Sequence, residues 1–435
     1  MAGTPADSVT RAAPVRTASG LHAYSLYVIA VLLVVYTCNF VDRVVLGILV
    51  TPIKGELHLT DTELGLLGGT AFALFYTSLG VPIGWLADRV NRVWIMTAAL
   101  TLWSTFTAVC GLAHGFGALF LARLGVGVGE AGGVAPAYSL ITDYFPPRLR
   151  ARALGVYSMG IPLGSALGVY FGGYVAARFN WRTAFLVLGL LGLALAPLLI
   201  GTVRDPPRGA TDAVPVNGAP PSWSQVARTL LHKPSFWLLS LGAACGTIMG
   251  YGLLFWLPAF FQRTFGLTLL EVSRLMGTLL LLGGVSGIAL GGWLADRYGP
   301  ARPAAYALIP AVAFAATLPC YVLGVSLPLG PLAFLCFLIP AALQLIWLGP
   351  LVAAVQRLVP APMRTVASAV FLFIINLLGL GLGSLLLGAL SDRLTAYYGA
   401  ASLRYAILAG SGCYLIAALL LIAAARRLAR DFEPA

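Results

Sequence analysis

The most informative feature of this 435-residue sequence is how little charge it carries. Charged residues make up 10% of the chain, whereas 59% of it is hydrophobic. Soluble domains are about a quarter charged, so this composition excludes a soluble globular protein. Apolar runs of about 20 residues, long enough to cross a bilayer, recur from end to end. The sequence therefore predicts an all-α membrane protein.

Cysteine and histidine are also scarce, with six and four residues. The cysteines lie inside apolar runs without the spacing of metal ligands, so we expect small hydrophobic side chains rather than disulfides or a metal site. The sequence shows no grouping of a nucleophile, a general base and metal ligands. The sequence therefore predicts neither an enzyme nor a cofactor.

Lysine is nearly absent, since Lys54 and Lys233 are the only two among 27 cationic residues. The arginines stand in short segments between apolar runs, so the positive-inside rule explains the net charge of +12 better than nucleic-acid binding does. With both termini inside, 18 cationic residues fall on the cytoplasmic side and 7 on the other. This asymmetry predicts cytoplasmic termini. The bias toward arginine is typical of a GC-rich bacterial genome, which indicates a bacterial inner membrane.

Twelve segments are long and apolar enough to be membrane spans. They are predicted at 24–50, 62–87, 92–113, 116–144, 149–177, 182–202, 235–262, 269–295, 302–323, 328–356, 363–391 and 401–427. One long polar connection separates two sets of six and can form a short surface helix. We therefore expect a tail at 1–23, a six-helix bundle at 24–202, a cytoplasmic linker at 203–233, a second bundle at 234–428 and a tail at 429–435.

One hexapeptide, Gly-Trp-Leu-Ala-Asp-Arg, occurs at 84–89 and again at 292–297, an offset of 208 residues. The same offset relates Glu63 to Glu271. Such duplication indicates two related halves, an arrangement found in secondary transporters. An aspartate in this turn can bind a neighbouring helix N-terminus, and a nearby arginine can pair with a carboxylate.

These properties predict a gate on the cytoplasmic side. The predicted gate residues are Gly84, Asp88, Arg89, Arg92, Asp143, Gly292, Asp296 and Arg297. The alternative is that the Asp-Arg turn merely marks a helix end, and the exact repetition of the turn favours the gate.

Few ionisable residues fall well within a span. Asp42 and Arg43 lie in the first span, and Arg123 and Glu130 lie in the fourth. Buried charges are costly and mark functional sites by default. Arg123 and Glu130 are two helical turns apart and share one face, so the four charges can form two pairs if these spans pack together. A structural ion-pair network and a proton-coupled site, with Asp42 and Glu130 as proton carriers, both remain open.

A central cavity between the halves would be charged on one wall and aromatic on the other. Arg43 and Arg123 can hold an anionic head group through bidentate contacts. The other candidate substrate-binding residues are Phe40, Tyr157, Tyr251, Trp347 and Asn376. Such a cavity suits an amphipathic substrate with an acidic or zwitterionic head. Packing against lipid or a neighbouring helix explains any single aromatic residue equally well.

These motifs resemble the major facilitator superfamily. The family's signature after the second span, Gly-x-Leu-Ala-Asp-Arg followed by a later arginine, is matched at 84–92, and its copy stands at 292–302. The sequence Trp-Arg-Thr-Ala-Phe at 181–185 is also typical of the family. The resemblance implies two six-helix bundles that alternate access to a central cavity.

A narrower resemblance is to the Spinster branch, whose members transport lysolipids and sphingoid phosphates. The matching stretches are Asn-Phe-Val-Asp-Arg at 39–43 and Arg-Leu-Gly-Val-Gly-Val-Gly-Glu-Ala at 123–131. The resemblance implies that Asp42, Arg43, Arg123 and Glu130 line the cavity and serve substrate binding and proton coupling.

We therefore expect a monomeric secondary transporter that uses a proton gradient to move an amphipathic lipid or a related organic anion. A proton-coupled transporter of a small organic acid or drug is the first alternative. A non-transporting sensor on a transporter fold is the second.

Overall fold

The computed structural model describes residues 23–87, 89–209, 223–360 and 363–432. Secondary structure in these ranges is helical throughout. Eleven helical stretches are long and apolar enough to cross a membrane. The last of them, Val366–Asp431, is broken at Gly399–Ala401 and contains two crossings, which brings the number of spans to the predicted twelve. Most of the predicted N-terminal tail, and Asp88, lie outside the described residues.

The first bundle contains six spans. Their bounds are Ala23–Ile48, Asp61–Ala87, Arg92–Cys110, Phe116–Tyr144, Pro147–Arg178 and Trp181–Thr202. A short helix, Val50–Leu57, connects the first two spans. The second span contains a π-helical turn at Leu66–Thr70, and the fourth is interrupted by turns directly after Glu130. Such irregular turns in membrane helices are tolerated where neighbouring helices satisfy the backbone.

The second bundle repeats this plan after a linker helix at Trp223–Leu231. Its spans are Pro234–Phe265, Leu269–Tyr298, Ala305–Ser326, Pro331–Arg357, 364–398 and 402–431. The eleventh span continues to Tyr398 and is therefore longer than predicted. It also contains a π-helical turn, at Asn376–Leu380.

The duplicated glutamates have a local structural cause. Thr60 and Glu63 form a capping box at the start of the second span, and Thr268 and Glu271 form the same box at the start of the eighth. In both, the glutamate carboxylate accepts the threonine backbone N–H at 2.8 Å. The box satisfies donors that a helix N-terminus otherwise leaves free, so each copy fixes where its span begins.

The start of the first span and the end of the twelfth lie at the same end of the bundle, here called the terminal face. Tyr24 donates to the carbonyl of Thr202 at 2.8 Å, which brings the first span's start to the sixth span's end. Lys233 donates to the carbonyl of Asp431, also at 2.8 Å, which brings the seventh span's start to the twelfth span's end. The other end of the bundle is called the opposite face.

The two bundles contact each other through three pairs of spans: the first with the seventh, the second with the eleventh, and the fifth with the eighth. The second and eleventh spans approach closely near Gly65, where an added Cβ would lie 2.6 Å from the carbonyl oxygen of Ser384. The fifth and eighth spans meet where Gly173 faces Ser273. Small residues allow this approach. In the described ranges, the hydrogen bonds between bundles lie in the middle of the spans and at the opposite face.

Candidate functional site

One predicted charge pair joins the first and fourth spans. The Nε atom of Arg43 donates to Oε2 of Glu130 at 2.5 Å. The two side chains are 8% and 0% exposed. Screening by water is therefore weak, and each charge depends on the other for its stabilisation.

Aromatic rings surround the Arg43 guanidinium. Its central carbon lies 4.8 Å from the ring centre of Phe40, 5.1 Å from that of Phe72 and 4.3 Å from that of Tyr76. These contacts stabilise a cation through the ring faces without neutralising it. The Nη2 atom of Arg43 has no protein partner. This arrangement can present a hydrogen-bond donor with positive charge to an anion.

The other two charges do not form the second expected pair. Arg123 donates to the main-chain carbonyls of Leu67 at 3.4 Å and Asp42 at 3.3 Å. The Asp42 carboxylate has no hydrogen-bond partner, although the residue is fully buried. Trp103 of the third span lies beside this carboxylate. Arg123 therefore reaches the backbone of the first span, whereas the Asp42 side chain is directed to the third.

Unpartnered polar atoms are concentrated around Asp42 and Glu130. The described part of the chain has eleven buried side-chain polar atoms without a protein partner, and nine belong to this region. They are Nδ2 and Oδ1 of Asn39, both carboxylate oxygens of Asp42, Nη2 of Arg43, Nε1 of Trp103, Oγ of Ser104, Oγ1 of Thr107 and Oε1 of Glu130. An unsatisfied buried polar group costs about 1–3 kcal/mol, so nine would cost on the order of 10 kcal/mol or more.

The predicted aromatic residues divide between two clusters. Tyr157 stacks on Tyr36 with ring centres 4.2 Å apart, and Tyr36 contacts Phe40 edge to face at 5.2 Å. Tyr251, from the second bundle, packs against the hydrophobic cluster that contains Tyr36, Phe40 and Tyr157. Phe40, Tyr157 and Tyr251 therefore form one wall with Arg43.

Trp347 belongs to a different hydrophobic cluster, and Asn376 lies on the eleventh span. Trp347 is buried, 6.4 Å from Phe371 between ring centres. Asn376 begins the π-helical turn of the eleventh span and is half-buried. Asn376 thus occupies an irregular segment of the backbone, whereas Trp347 has packing partners of its own.

The first copy of the repeated turn is held by buried ion pairs. Arg92 is 1% exposed and donates to Asp143 at the end of the fourth span. It also donates to Asp205 of the linker at 2.7 Å. Arg89 is exposed and stacks on Trp85 with its guanidinium carbon 3.7 Å from the ring centre. A Cβ added to Gly84 would lie 3.8 Å from the Cβ of Ala135.

The second copy has no comparable partners. Asp296 and Arg297 are exposed, and neither forms an ion pair with any residue that the structure describes. Gly292 lies beside Gly349 of the tenth span. The identical hexapeptides therefore have different surroundings, because the linker and the Asp143 carboxylate are available only to the first copy.

The sequence did not indicate a second cluster of charged residues, which lies at the opposite face. The Asp61 cluster consists of Lys54, Asp61, Arg263, Ser391 and Asp392. Arg263 of the seventh span forms two hydrogen bonds with the Asp61 carboxylate, at 2.7 and 2.8 Å. Lys54 donates to the same carboxylate at 2.5 Å, and Ser391 of the eleventh span donates to it at 2.8 Å.

The acidic residue next to Ser391 completes this cluster. The Asp392 carboxylate accepts the backbone N–H groups of Asp61 at 3.1 Å and Thr62 at 2.7 Å, and the Thr62 hydroxyl at 2.6 Å. A carboxylate is stabilised at a helix N-terminus by free N–H groups and by the helix dipole. Each bundle therefore contributes one carboxylate that is bound by the other bundle at the opposite face. No spacing along the chain connects positions 61, 263 and 392, and charged residues are common at span ends.

Comparisons with known proteins agree with the fold. Residues 32–383 match the family model described as Major Facilitator Superfamily. The chain is 35% identical to an MFS-type efflux pump of Mycolicibacterium smegmatis, over 91% of this chain and 90% of that protein. It is 31% identical to human Protein spinster homolog 1, over 85% of this chain and 74% of that protein.

Solved structures show the same relationship. A bacterial homologue of the human lysosomal transporter Spinster, in an inward-facing and unoccupied conformation, aligns with a TM-score of 0.86 and 33% identity, over 96% of this chain and all of that one. An inward-facing and occupied structure aligns with a TM-score of 0.84 and 32% identity, with the same coverage. A D-xylose-proton symporter at 16% identity shares the fold, with a TM-score of 0.71.

Proposed function

This chain belongs to the major facilitator superfamily as a multi-pass membrane transporter of the Spinster type, and we propose that it moves an amphipathic lipid with an acidic or zwitterionic head by proton-coupled alternating access. The observation that carries the proposal is the Arg43–Glu130 pair beneath an aromatic wall. A lysophospholipid or a sphingoid phosphate has this combination of a charged head and an apolar tail.

The Arg43 side chain supports the choice of an anionic head group. One of its nitrogens is held by Glu130, whereas Nη2 has no protein partner. A phosphate oxygen can accept from this nitrogen, because guanidinium groups bind phosphates through parallel hydrogen bonds. The wall formed by Phe40, Tyr157 and Tyr251 offers apolar surface next to that position. One ligand could therefore occupy the cation and the aromatic surface together.

The pairing of Glu130 supports coupling to protons. A substrate anion that draws Arg43 away leaves the Glu130 carboxylate buried and unpaired. Such a carboxylate is strongly favoured to take up a proton, because the neutral acid is less costly in low dielectric. Substrate binding and protonation of Glu130 thus favour each other, and this linkage is reciprocal. The scheme predicts that the anion and the proton cross the membrane in the same direction.

The contacts between the bundles support alternating access. The Asp61 cluster closes the opposite face, and the described residues of the repeated turns form no ion pair between bundles at the terminal face. The arginine asymmetry of the sequence supports a cytoplasmic orientation of the terminal face. In that orientation the conformation is inward-facing. The Asp61 cluster must separate before the opposite face can open, and the predicted gate must then close the cytoplasmic side.

The proposal is tested with purified protein in liposomes that carry an imposed pH gradient. The substrates are a lysophospholipid, a sphingoid phosphate and a small organic acid, each offered separately. We expect the gradient to drive uptake of a lipid substrate and its collapse by a protonophore to abolish that uptake. Lipid transport at equal rates with and without the gradient would refute proton coupling.

Export of a drug or small organic anion is the second candidate. It is favoured by the 35% identity to an MFS-type efflux pump over nearly the full length of both chains. The same liposome panel separates the candidates, because an efflux pump of this kind would transport the small anion and leave the two lipids in place.

A further inference from the structure

We propose that the first, third and fourth spans enclose a chain of buried water molecules that connects the Glu130 carboxyl group to the Asp42 carboxylate. The water site follows from the geometry alone, and its role as a proton path rests on the proposed function. In the proton transfer, the Glu130 carboxyl group releases a proton to the first water, and the last water delivers a proton to Asp42. No other reactant is needed.

Buried polar atoms without a protein partner are concentrated in one region of the structure. Nine of the eleven such atoms in the described ranges lie in this part of the first bundle. Asn39, Asp42, Trp103, Ser104 and Glu130 are all at most 2% exposed. Buried polar atoms in folded proteins are nearly always bonded to protein or to ordered water. A cluster of this kind therefore indicates bound water rather than a set of unrelated defects.

These atoms lie close to one another where the first, third and fourth spans pack together. Glu130 lies beside the Asn39 amide, one helical turn before Arg43 on the first span. Asp42 lies beside Trp103, and Ser104 follows Trp103 directly on the third span. A Cβ added to Gly192 would lie 2.1 Å from Oγ of Ser104 and 3.4 Å from Sγ of Cys38, so Ser104 lies where the first, third and sixth spans meet. The path thus runs from Glu130 along the first span to Asp42.

The donors and acceptors in this cluster indicate which ligand it binds. The cluster mixes donors, such as the Trp103 indole N–H, with acceptors, such as the Asp42 oxygens, while the Ser104 and Thr107 hydroxyls can do both. Water can satisfy both kinds of group at once, usually with about three hydrogen bonds per molecule. A metal cation would be repelled by the indole N–H and by the guanidinium groups of Arg43 and Arg123. Water is therefore the ligand that fits the whole set.

The path gives Asp42 a function that direct contact cannot. Its carboxylate is fully buried beside Trp103, whose indole N–H is a donor only and cannot pass on a proton. Glu130 lies at the aromatic wall through its bond to Arg43. A water chain would let Glu130 exchange a proton at the wall while Asp42 stores it in the interior.

The water site can be tested by radiolytic labelling in ¹⁸O-enriched water, which oxidises side chains that touch bound water. Trp103 is 1% exposed and its Nε1 is unpartnered. Trp256 is 0% exposed and its Nε1 donates to the Ser384 carbonyl at 2.8 Å, so it is the matched control. We expect at least tenfold faster ¹⁸O incorporation at Trp103. Equal, slow incorporation at both tryptophans would overturn the proposal.

Two variants test the path. Ser104→Ala and Thr107→Val remove unpartnered hydroxyls with little change of shape, whereas Thr105→Val changes an exposed residue of the same span. We expect the first two to lower pH-gradient-driven transport about tenfold and to spare substrate exchange without a gradient, while Thr105→Val changes neither. Thr107→Val should also lower the melting temperature, because it removes a hydroxyl that is bonded to water. In a dry site the same change would remove an unsatisfied hydroxyl and raise the melting temperature.

The outcomes separate the two proposals. Labelled Trp103 with unchanged gradient-driven transport in both variants would overturn the proton path but leave the water site. If the wild type shows no gradient-driven transport with any substrate, the proposed function fails while the labelling result still decides the water site.

Discussion

Asp61 of the second span and Arg263 of the seventh are joined by two parallel hydrogen bonds, at 2.7 and 2.8 Å, across the boundary between the bundles. The Asp61 side chain is 3% exposed and that of Arg263 is 20% exposed. Bidentate pairs between arginine and carboxylate are the strongest ion pairs in geometry and energy. The pair holds the opposite face closed in this conformation.

Asp61→Asn should open the opposite face. The neutral amide cannot hold Arg263 and Lys54 together, so we expect the population open at this face to rise roughly tenfold, about 1.4 kcal/mol. Double electron–electron resonance can follow it with spin labels at Phe179 and Tyr397, which are 73% and 82% exposed at that face. Glu271→Gln is the control, because Glu271 serves only its capping box. Identical distance distributions in wild type and Asp61→Asn would contradict this role of the Asp61 cluster.

Gly69→Ala should weaken the contact between the second and eleventh spans. An added Cβ would lie 2.4 Å from the Leu380 carbonyl oxygen, and the backbone there cannot rotate away. We expect a lower melting temperature and a shift toward the conformation open at the opposite face. Gly80→Ala on the same span is the control, since its added Cβ would meet nothing within 4 Å. Equal melting temperatures for the two variants would show that the spans do not depend on this approach.

Arg92→Ala should destabilise the terminal face. The side chain is 1% exposed and pairs with Asp143 and Asp205, so its removal leaves two carboxylates without their cation. Breaking a buried pair costs about 3–5 kcal/mol, and the effect should appear as a large drop in melting temperature. Arg89→Ala is the control, because Arg89 is exposed and only stacks on Trp85. A similar small effect of both changes would argue against a structural role for the Arg92 pairs.

Glu56 should contribute stability that depends on pH. Hydrogen bonds from Trp181 and Arg182 lower the pKa of the Glu56 carboxyl group below its usual 4.5. A lowered folded-state pKa contributes stability above the unfolded pKa, and this stability is lost as the pH falls through the folded pKa. The melting temperatures of wild type and Glu56→Gln should therefore differ at pH 7 and converge below about pH 4. The side chain is 49% exposed, so the difference should be small. A constant difference from pH 7 to pH 3 would exclude this linkage.

The fold was predictable because its signals are local. Twelve apolar segments give the spans, and the duplicated hexapeptide with Glu63 and Glu271 gives the two related halves. The structure adds that each glutamate belongs to a capping box. That the chain is a multi-pass membrane protein of the major facilitator superfamily followed from the same patterns, and the comparisons confirm it.

The sites were only partly predictable, because packing decides them. Arg43 and Glu130 form one of the two pairs expected from packing of the first and fourth spans, but Arg123 donates to main-chain carbonyls where the second ion pair was expected. Which groups a side chain meets depends on how the helices pack, and Asp42 lies beside Trp103 of the third span. The Asp61 cluster joins residues far apart in sequence, so no spacing could have indicated it. The roles of the predicted gate and substrate residues remain predictions.

The central claim is that Glu130 couples substrate movement to protons. The most direct measurement is proton uptake into liposomes, followed with an internal pH-sensitive dye while an inward lysophospholipid gradient is applied. The wild-type protein should acidify the liposome interior as the lipid enters, and Glu130→Gln should transport lipid without any acidification. Acidification at the wild-type rate in Glu130→Gln would contradict the account.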